Sequence, residues 1–210
     1  LVVRGYNDGF AFCYKIPEGE GECVNVQSEL TAYNFAGDYT AWFYNGENHN
    51  IGPEKLTETD GTRLPVMTVK AGDRHYMAIH EACLETGAPL VLQSKGGESL
   101  FSVASKPADL SPGYTSAWRV VLYGTTPGVL TDSHLLELLN PDPDSRYDFS
   151  WVKPGLAVWD WRINGAVWDG FTYGMSYPSW VRMVDFAAEQ GFKYLVLDAN
   201  WYGPEFESDS

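Results

Sequence analysis

The sequence is poor in positive charge and contains no long apolar run. Lysine and arginine total 14 against 28 aspartates and glutamates, which gives a formal net charge of −14. Binding to nucleic acids or to anionic membrane surfaces needs an excess of basic residues, so this balance argues against both partners. No run of about 18 apolar residues is present, so no membrane-spanning helix is predicted. The composition favours a neutral ligand.

Cysteine and histidine are scarce as well, with three and four residues. Cys13, Cys23 and Cys83 have neither a metal-binding spacing nor an even number for disulfides. Cys13 and Cys23 could pair across a hairpin, although a small buried thiol is the more common use of such a residue. The histidines show no paired spacing for zinc. No signal peptide is recognisable, but the first residue is not methionine, so this absence says little about the compartment.

Aromatic residues are abundant, at 15% of the chain, and residues 1–140 read as short strands. "GFAFCYKI" alternates at strand period, with Phe10, Phe12 and Tyr14 on one face. "YTAWFYN" runs into the hairpin-type pair Asn45-Gly46. "LPVMTVKAGDRHYMAIHEACL" and "SAWRVVLYG" predict three more strands, whereas "TPGVLTDSHLLELLN" fits either a helix or a strand. Short strands separated by Gly, Pro and Asn predict an antiparallel β-sandwich in this first domain.

The pattern changes after "NPDPDSRYD", which contains two prolines and is interpreted as part of a linker over residues 141–150. The short apolar run "GLAVWDW" is followed by the amphipathic helix "SYPSWVRMVDFAAEQG", with Ser176 as cap and Pro178 in its first turn. Trp180, Val184, Ala187 and Ala188 form the predicted apolar stripe. "YLVL" then reads as a strand buried on both faces, so residues 151–210 predict a β-α-β unit.

Both predicted parallel strands end on an aspartate with a tryptophan close behind. Asp160 is followed by Trp161, and Asp198 is followed by Trp201. Ligands meet parallel sheets at the carboxyl ends of strands, so these four residues are predicted to bind substrate. Carboxylates accept hydroxyl hydrogens, indoles cover sugar rings, and paired carboxylates also carry out glycoside hydrolysis. In the alternative interpretation, each aspartate only caps the segment that follows it.

Taken together, these segments resemble glycoside hydrolase family 97. "YNDGFAFCYKIP", "HYMAIHEACL", "SAWRVVLYG" and "LLELLNP" are similar, in this order, to the N-terminal domain of that family. "KPGLAVWDW" and "YPSWVRMVDFAAEQGFKYLVLDANW" resemble the start of its catalytic barrel. The resemblance implies a galactose-mutarotase-like β-super-sandwich over residues 1–140, followed by the first β-α-β unit of a (β/α)₈ barrel.

The resemblance also implies a function and a metal. Members are exo-acting α-glucosidases or α-galactosidases of oligosaccharides, usually periplasmic or secreted, with calcium in the active site. Glu81 in "AIHEACL" matches the calcium ligand that the sandwich supplies, and the remaining ligands and main catalytic carboxylates are expected after Ser210. Ala199 stands where the α-glucosidase branch carries a carboxylate, which puts that specificity in doubt.

A complete (β/α)₈ barrel needs roughly 250 residues, so residues 151–210 are expected to be a truncated barrel in an internal fragment. The fragment alone is expected to be inactive. Its last 60 residues are expected to be mobile or to aggregate unless the sandwich or a partner copy covers them. Two other functions remain open. One is a non-catalytic carbohydrate-binding sandwich that binds sugar without calcium, and the other is a structural role for the exposed aromatic residues.

Overall fold

The computed structural model describes residues 1–19, 25–44, 50–85, 88–105, 110–198 and 201–203. Its internal contacts divide the chain into two compact units, Leu1–Pro143 and Asp144–Ser210. Residues 140–156, which include the predicted linker, form neither a helix nor a strand. Cys23 and the predicted turn at Asn45-Gly46 lie outside the described residues, whereas Cys13 is a buried free thiol.

The first unit is built around an antiparallel sheet. Its strands are β1 (Val2–Tyr6), β2 (Gly9–Cys13), β3 (Ala32–Asn34), β4 (Thr40–Tyr44), β5 (Asn50–Lys55), β6 (Asp60–Lys70), β7 (Tyr76–Ala82), β8 (Leu92–Lys95), β9 (Leu100–Val103) and β10 (Trp118–Gly124). In the described part of the chain they form one sheet in the order β1-β2-β10-β7-β6-β8-β9-β3, with β4 joined to β6 and β5 to β4. The segments quoted from the sequence for β2, β4, β6, β7 and β10 are all strands, as predicted.

The long strand β6 makes the sheet curl into a sandwich-like arrangement. Its first half, from Asp60 to Arg63, pairs with β8, and its second half, from Met67 to Lys70, pairs with β7. Successive side chains of a strand point to opposite faces, so β7 serves two apolar cores. Ile79 packs with Met67 and other buried residues of β4, β6, β8 and β9. Ala78 and Ala82 pack with β2 and β10 in the second core.

Two short helices cover the second core. They are α1 (Pro127–Asp132) and α2 (Leu135–Leu139), so the segment that the sequence left open between helix and strand is helical. Leu135 and Leu139 are both buried against this core. Their spacing of four residues places them on one helix face. Once the position of the sheet is known, this shared face identifies the segment as helical.

The aromatic residues of β2 lie on the face of the strand that points away from the second core. Ala11 and Cys13 are buried in the second core, whereas 45% of Phe10 is exposed. The bulky Trp118 and the leucines of α2 occupy the same core, so small side chains fill the remaining space on the inner face of β2. The alternation was predicted, but the assignment of its faces needed the neighbouring elements.

The second unit contains one parallel strand pair joined by a long helix. Its elements are β11 (Ala157–Trp159), α3 (Asp160–Ile163), β12 (Val167–Trp168), β13 (Phe171–Thr172), α4 (Tyr177–Gln190) and β14 (Tyr194–Val196). β11 and β14 pair in parallel with Trp159 opposite Val196, and β12 and β13 form an antiparallel hairpin. The predicted β-α-β order is therefore present.

Helix α4 begins and ends near the predicted residues. Ser176 occupies the N-cap position, Pro178 lies in the first turn, and Gly191 ends the helix with φ of 73°, a conformation that glycine adopts without strain. The side chain of Ser176 does not cap the helix. Its hydroxyl lies 3.2 Å from the Ser179 hydroxyl instead.

The predicted apolar stripe of α4 is wrong in part. The buried residues are Ser179, Met183 and Ala187, whereas Val184 is 49% exposed and Ala188 is also on the surface. The prediction that β14 is buried on both faces is wrong too, because 40% of Tyr194 is exposed. The physical reason is the width of the sheet: the described residues provide two parallel strands, which cover one side of the helix. A closed barrel needs eight, so the start of a barrel stays a proposal.

Candidate functional site

Asp160 and Asp198 lie together at the carboxyl ends of β11 and β14. The parallel register places Trp159 opposite Val196, so the residues that follow each strand are neighbours. The backbone N–H of Asp198 donates a hydrogen bond of 3.0 Å to Oδ1 of Asp160. The sequence argument about strand ends therefore located two carboxylates that are adjacent in the structure.

Asp160 is an internal residue. Only 1% of its surface is exposed, and it is the first residue of α3. Its Oδ2 accepts a hydrogen bond of 2.9 Å from the indole N–H of Trp180, and its Oδ1 accepts the Asp198 amide. Both carboxylate oxygens thus have donors within the second unit. Direct contact between Asp160 and substrate stays a prediction.

Asp198 is half-buried and is held by a second indole. The Nε1–H of Trp159 donates a hydrogen bond of 2.7 Å to Oδ2 of Asp198. Trp161 and Trp201, the tryptophans predicted to cover a sugar, are 50% and 57% exposed. These rings are accessible to a ligand, and their role in binding stays a prediction.

Sequence reasoning missed the indoles that hold the two carboxylates. Trp180 was assigned to the core stripe of α4, yet its ring nitrogen reaches Asp160 across 20 residues of sequence. Trp159 is the last residue of β11 and is covered by the guanidinium of Arg162, 4.9 Å from the ring centroid. A signal was present, since buried indole nitrogens usually find an acceptor and aspartates lay nearby in the sequence.

Glu81 lies in the first unit, near the end of β7, where its carboxylate is nearly buried. Its Oε2 accepts a hydrogen bond of 2.7 Å from the Leu90 backbone N–H and another of 3.3 Å from Arg119. The backbone N–H of Glu81 itself donates to Nδ1 of His80 at 2.7 Å. Burial lowers the pKa of His80, although the charge of Glu81 acts in the opposite direction. The Oε2 atom of Glu81 is therefore held in place by two hydrogen bonds.

Arg119 joins two glutamates in a buried cluster. It lies opposite Glu81 across β10 and β7, and its Nε and Nη2 donate to the two oxygens of Glu29 at 3.0 and 2.5 Å. Burial opposes the charge of Arg119, but the hydrogen bond and charge of Glu29, with the charge of Glu81, raise its pKa. Thr31 donates to Glu29 and contacts Tyr14, which extends the cluster towards the surface. No motif in the sequence pointed to this cluster.

The family of the chain follows from comparison with known proteins. The sequence profile of the glycosyl-hydrolase 97 N-terminal family matches residues 1–141, which is most of the first unit. The chain belongs to this family. The curved antiparallel unit with α1 and α2 is thus the N-terminal domain of glycoside hydrolase family 97, as the resemblance predicted.

Two curated relatives of this chain are named as α-galactosidases. A retaining alpha-galactosidase of Bacteroides thetaiotaomicron is 27% identical over 244 residues, covering 96% of this chain and 36% of that protein. A probable retaining alpha-galactosidase of Streptomyces bingchenggensis is 32% identical over 221 residues, covering 96% of this chain and 31% of that protein. The chain therefore spans about a third of the length of these relatives.

The chain is also similar to a solved structure over most of its length. The family 97 enzyme of Pseudoalteromonas sp. strain K8, in complex with acarbose, superposes with a TM-score of 0.75 and 25% identity. The match covers 94% of this chain and 33% of that enzyme. The family relationship thus extends beyond the residues that the family profile matches.

Calcium, which the resemblance implies, does not fit the described residues by themselves. Among them, no group of three or more His, Cys, Asp or Glu side chains could hold a metal ion. Calcium takes about six to eight oxygen ligands. One oxygen of Glu81 is occupied by Leu90 and Arg119, and the guanidinium beside it repels a cation. At most, Glu81 supplies one ligand.

Over the described ranges, no helix combines the length and apolar character that a crossing of the bilayer requires.

Proposed function

We propose that this chain supplies the N-terminal domain and the first barrel unit of an exo-acting α-glycoside hydrolase that acts on oligosaccharides. The observation that carries the proposal is the family 97 match over residues 1–141. The parallel unit that follows, with Asp160 and Asp198 at its strand ends, supports the assignment of a barrel start. In barrels of this kind the substrate binds at that face.

α-Galactosides are the proposed substrates, because both curated relatives described above carry that name. α-Glucosides are the second choice, favoured by the acarbose complex of the Pseudoalteromonas enzyme. Asp198, Trp161 and Trp201 are the proposed contacts to sugar, since their side chains are accessible in part and combine a carboxylate with aromatic faces. None of the described carboxylates is assigned as the catalytic acid or nucleophile.

Calcium dependence and export to the periplasm or the exterior are proposed from the family resemblance alone. The part of Glu81 in calcium binding can be tested directly. Because Glu81 offers at most one ligand, the 210-residue chain is expected to bind calcium no better than a variant with Glu81→Gln. Calcium bound tightly by the chain and lost in that variant would contradict the proposal that Glu81 supplies only one of several calcium ligands.

The activity is tested with the polypeptide that the complete reading frame encodes. We expect it to release nitrophenol from p-nitrophenyl α-galactoside faster than from the α-glucoside, and chelation to reduce the rate. The 210-residue chain alone is expected to release none. Activity of the 210-residue chain, or no activity of the complete polypeptide on either substrate, would contradict the proposal.

A carbohydrate-binding module without catalysis is the second candidate. A cavity of 330 Å³ in the sandwich favours it, because Tyr14, Tyr114, Glu29 and Ser116 line its wall. Aromatic faces with a few polar groups are typical of sugar pockets. Titration of the chain with melibiose and maltose, with and without calcium, separates the candidates. Tight binding without calcium and without turnover in the complete polypeptide would favour the module.

A further inference from the structure

We propose that the dipeptide Trp159-Asp160 is a positioning device that sets the orientation of Asp198 for substrate. The inference rests on the proposed function, in which Asp198 contacts the sugar. It concerns how a carboxylate at the end of a three-residue strand is held in one place. Neither Trp159 nor Asp160 needs to touch substrate for this role.

The dipeptide holds Asp198 at two separate points. The Nε1–H of Trp159 donates to Oδ2 of the Asp198 side chain at 2.7 Å. Oδ1 of Asp160 accepts the backbone N–H of Asp198 at 3.0 Å. One bond restrains the side-chain torsions of Asp198 and the other restrains its backbone. Two consecutive residues of β11 and α3 therefore fix both the position and the rotamer of a residue that follows β14.

Each member of the dipeptide is itself held in place. Oδ2 of Asp160 accepts the indole N–H of Trp180 at 2.9 Å, which links it to the first turns of α4. The guanidinium of Arg162 covers the Trp159 ring, 4.9 Å from its centroid. Groups that orient a functional side chain must have their own geometry restrained, and both do.

The burial of Asp160 indicates that this carboxylate has a role beyond the stability of the fold. Its exposure is 1%, and in the described ranges no lysine, arginine or histidine pairs with it. A buried carboxylate whose donors are neutral is a costly group, and an apolar residue would usually serve stability better. Costly buried charges of this kind are expected at functional sites. An aspartate here accepts two hydrogen bonds at once, which an apolar residue cannot do.

Nuclear magnetic resonance of the 210-residue chain tests the positioning without any sugar. Asp160→Asn replaces a charged acceptor by a neutral one, so the Asp198 amide proton should move upfield. Trp159→Phe keeps most of the ring but removes the N–H, so the Asp198 carboxyl carbon should shift. Trp168→Phe is the matched control, since Trp168 is 74% exposed, and it should leave both signals unchanged.

The same variants in the polypeptide of the complete reading frame test the consequence. We expect kcat/KM for p-nitrophenyl α-galactoside to fall by about 10- to 100-fold in Asp160→Asn and in Trp159→Phe, as small misplacements of binding groups do. The control should retain its rate. If Asp160→Asn does not fold, Trp159→Phe decides alone, because it leaves Asp160 and both of its hydrogen bonds in place.

The outcomes separate this proposal from the proposed function. Unchanged Asp198 signals in both variants, with only a loss of stability, would overturn the positioning role. Shifted signals together with a lower kcat/KM would support it. Shifted signals with an unchanged kcat/KM would keep the positioning and remove Asp198 from contact with substrate.

Discussion

Arg119 is the only positive charge paired with two nearly buried glutamates in the described part of the chain. Its side chain is 3% exposed, and those of Glu29 and Glu81 are 8% and 12% exposed. Charges removed from water are tolerated when they are paired and hydrogen-bonded, as here. Removing the shared cation leaves two like charges facing each other in a poorly solvated place. This dependence of Glu81 on a residue 38 positions away is a property of the fold that the local motif "AIHEACL" does not contain.

Arg119→Met should therefore destabilise the first unit strongly. Loss of one partner of a buried pair typically costs about 3–5 kcal/mol, because an uncompensated charge remains. Urea unfolding followed by circular dichroism measures the change. Arg146→Met is the matched control, since Arg146 pairs with Asp144 on the surface, and it should leave the midpoint unchanged. Equal midpoints for the two variants would show that the buried cluster contributes little to stability.

Tyr33 offers a second test at the residue scale. Burial raises the pKa of Tyr33, and its hydroxyl is buried without a hydrogen-bond partner among the described residues. In an unfolded chain tyrosine ionises near pH about 10. Above that pH the unfolded chain has lost a proton that the folded chain keeps, so the free energy of unfolding falls as pH rises.

Tyr33→Phe should remove this part of the alkaline decline. At pH about 8 the variant is expected to be as stable as the parent or about 1 kcal/mol more stable, because an unsatisfied buried group is lost. Between pH about 9.5 and 11.5 its stability should fall less steeply. Urea midpoints across this range measure both effects, with the exposed Tyr147→Phe as control. A parallel decline in all three proteins would contradict the assignment.

At the scale of elements, α4 shows where periodicity stops being informative. The helix has apolar residues on two sides, and period alone cannot say which side the sheet covers. The structure buries the side of Met183 and Ala187 and leaves Val184 half-exposed. The predicted stripe combined residues from both sides, which is why it was correct at Ala187 and wrong at Val184 and Ala188.

Met183→Ala and Val184→Ala distinguish the two sides. Truncation of the buried methionine should cost about 2–5 kcal/mol, since it leaves a cavity on the packed side of the helix. Truncation of the exposed valine should change stability by less than about 0.5 kcal/mol. Tryptophan fluorescence in urea reports on this unit, because six of the eight tryptophans lie between residues 151 and 201. A larger loss for Val184→Ala would place the sheet on the other side of the helix.

Particular elements also show how much of the fold the sequence could predict. Alternation and turn residues located β2, β6, β7 and β10, and the order of apolar runs and helix located the parallel pair β11 and β14. The strand-end argument brought Asp160 and Asp198 together. The hydrogen bonds from Trp159 and Trp180, and the ion pairs of Arg119, depend on side chains that meet only after folding. No spacing in the sequence encodes the ion pairs of Arg119. The signal for the two indole hydrogen bonds, aspartates close to these tryptophans in the sequence, does not identify which pairs form.

At the scale of the whole molecule, the two units differ in how far their sheets are completed. In the first unit, β10 is paired on both sides, with β7 over seven residues and with β2 over four. In the second unit, β14 has three residues and pairs with β11 alone among the described strands. Backbone hydrogen bonds of a central strand open only when much of the domain unfolds, whereas those of a short edge strand open locally.

Amide hydrogen exchange of the 210-residue chain should therefore separate the units. We expect Val120 and Leu122 in β10 to exchange several orders of magnitude more slowly than Leu195 and Val196 in β14, because the former are buried between two strands. Exchange is followed by nuclear magnetic resonance at two pH values. This comparison separates the effect of structural opening from the intrinsic chemical exchange rate of each amide. Trp168→Phe, which removes no sheet hydrogen bond, serves as control and should leave the ratio unchanged. Equal protection of β10 and β14 would mean that the parallel pair is stabilised by more than the contacts of its own unit.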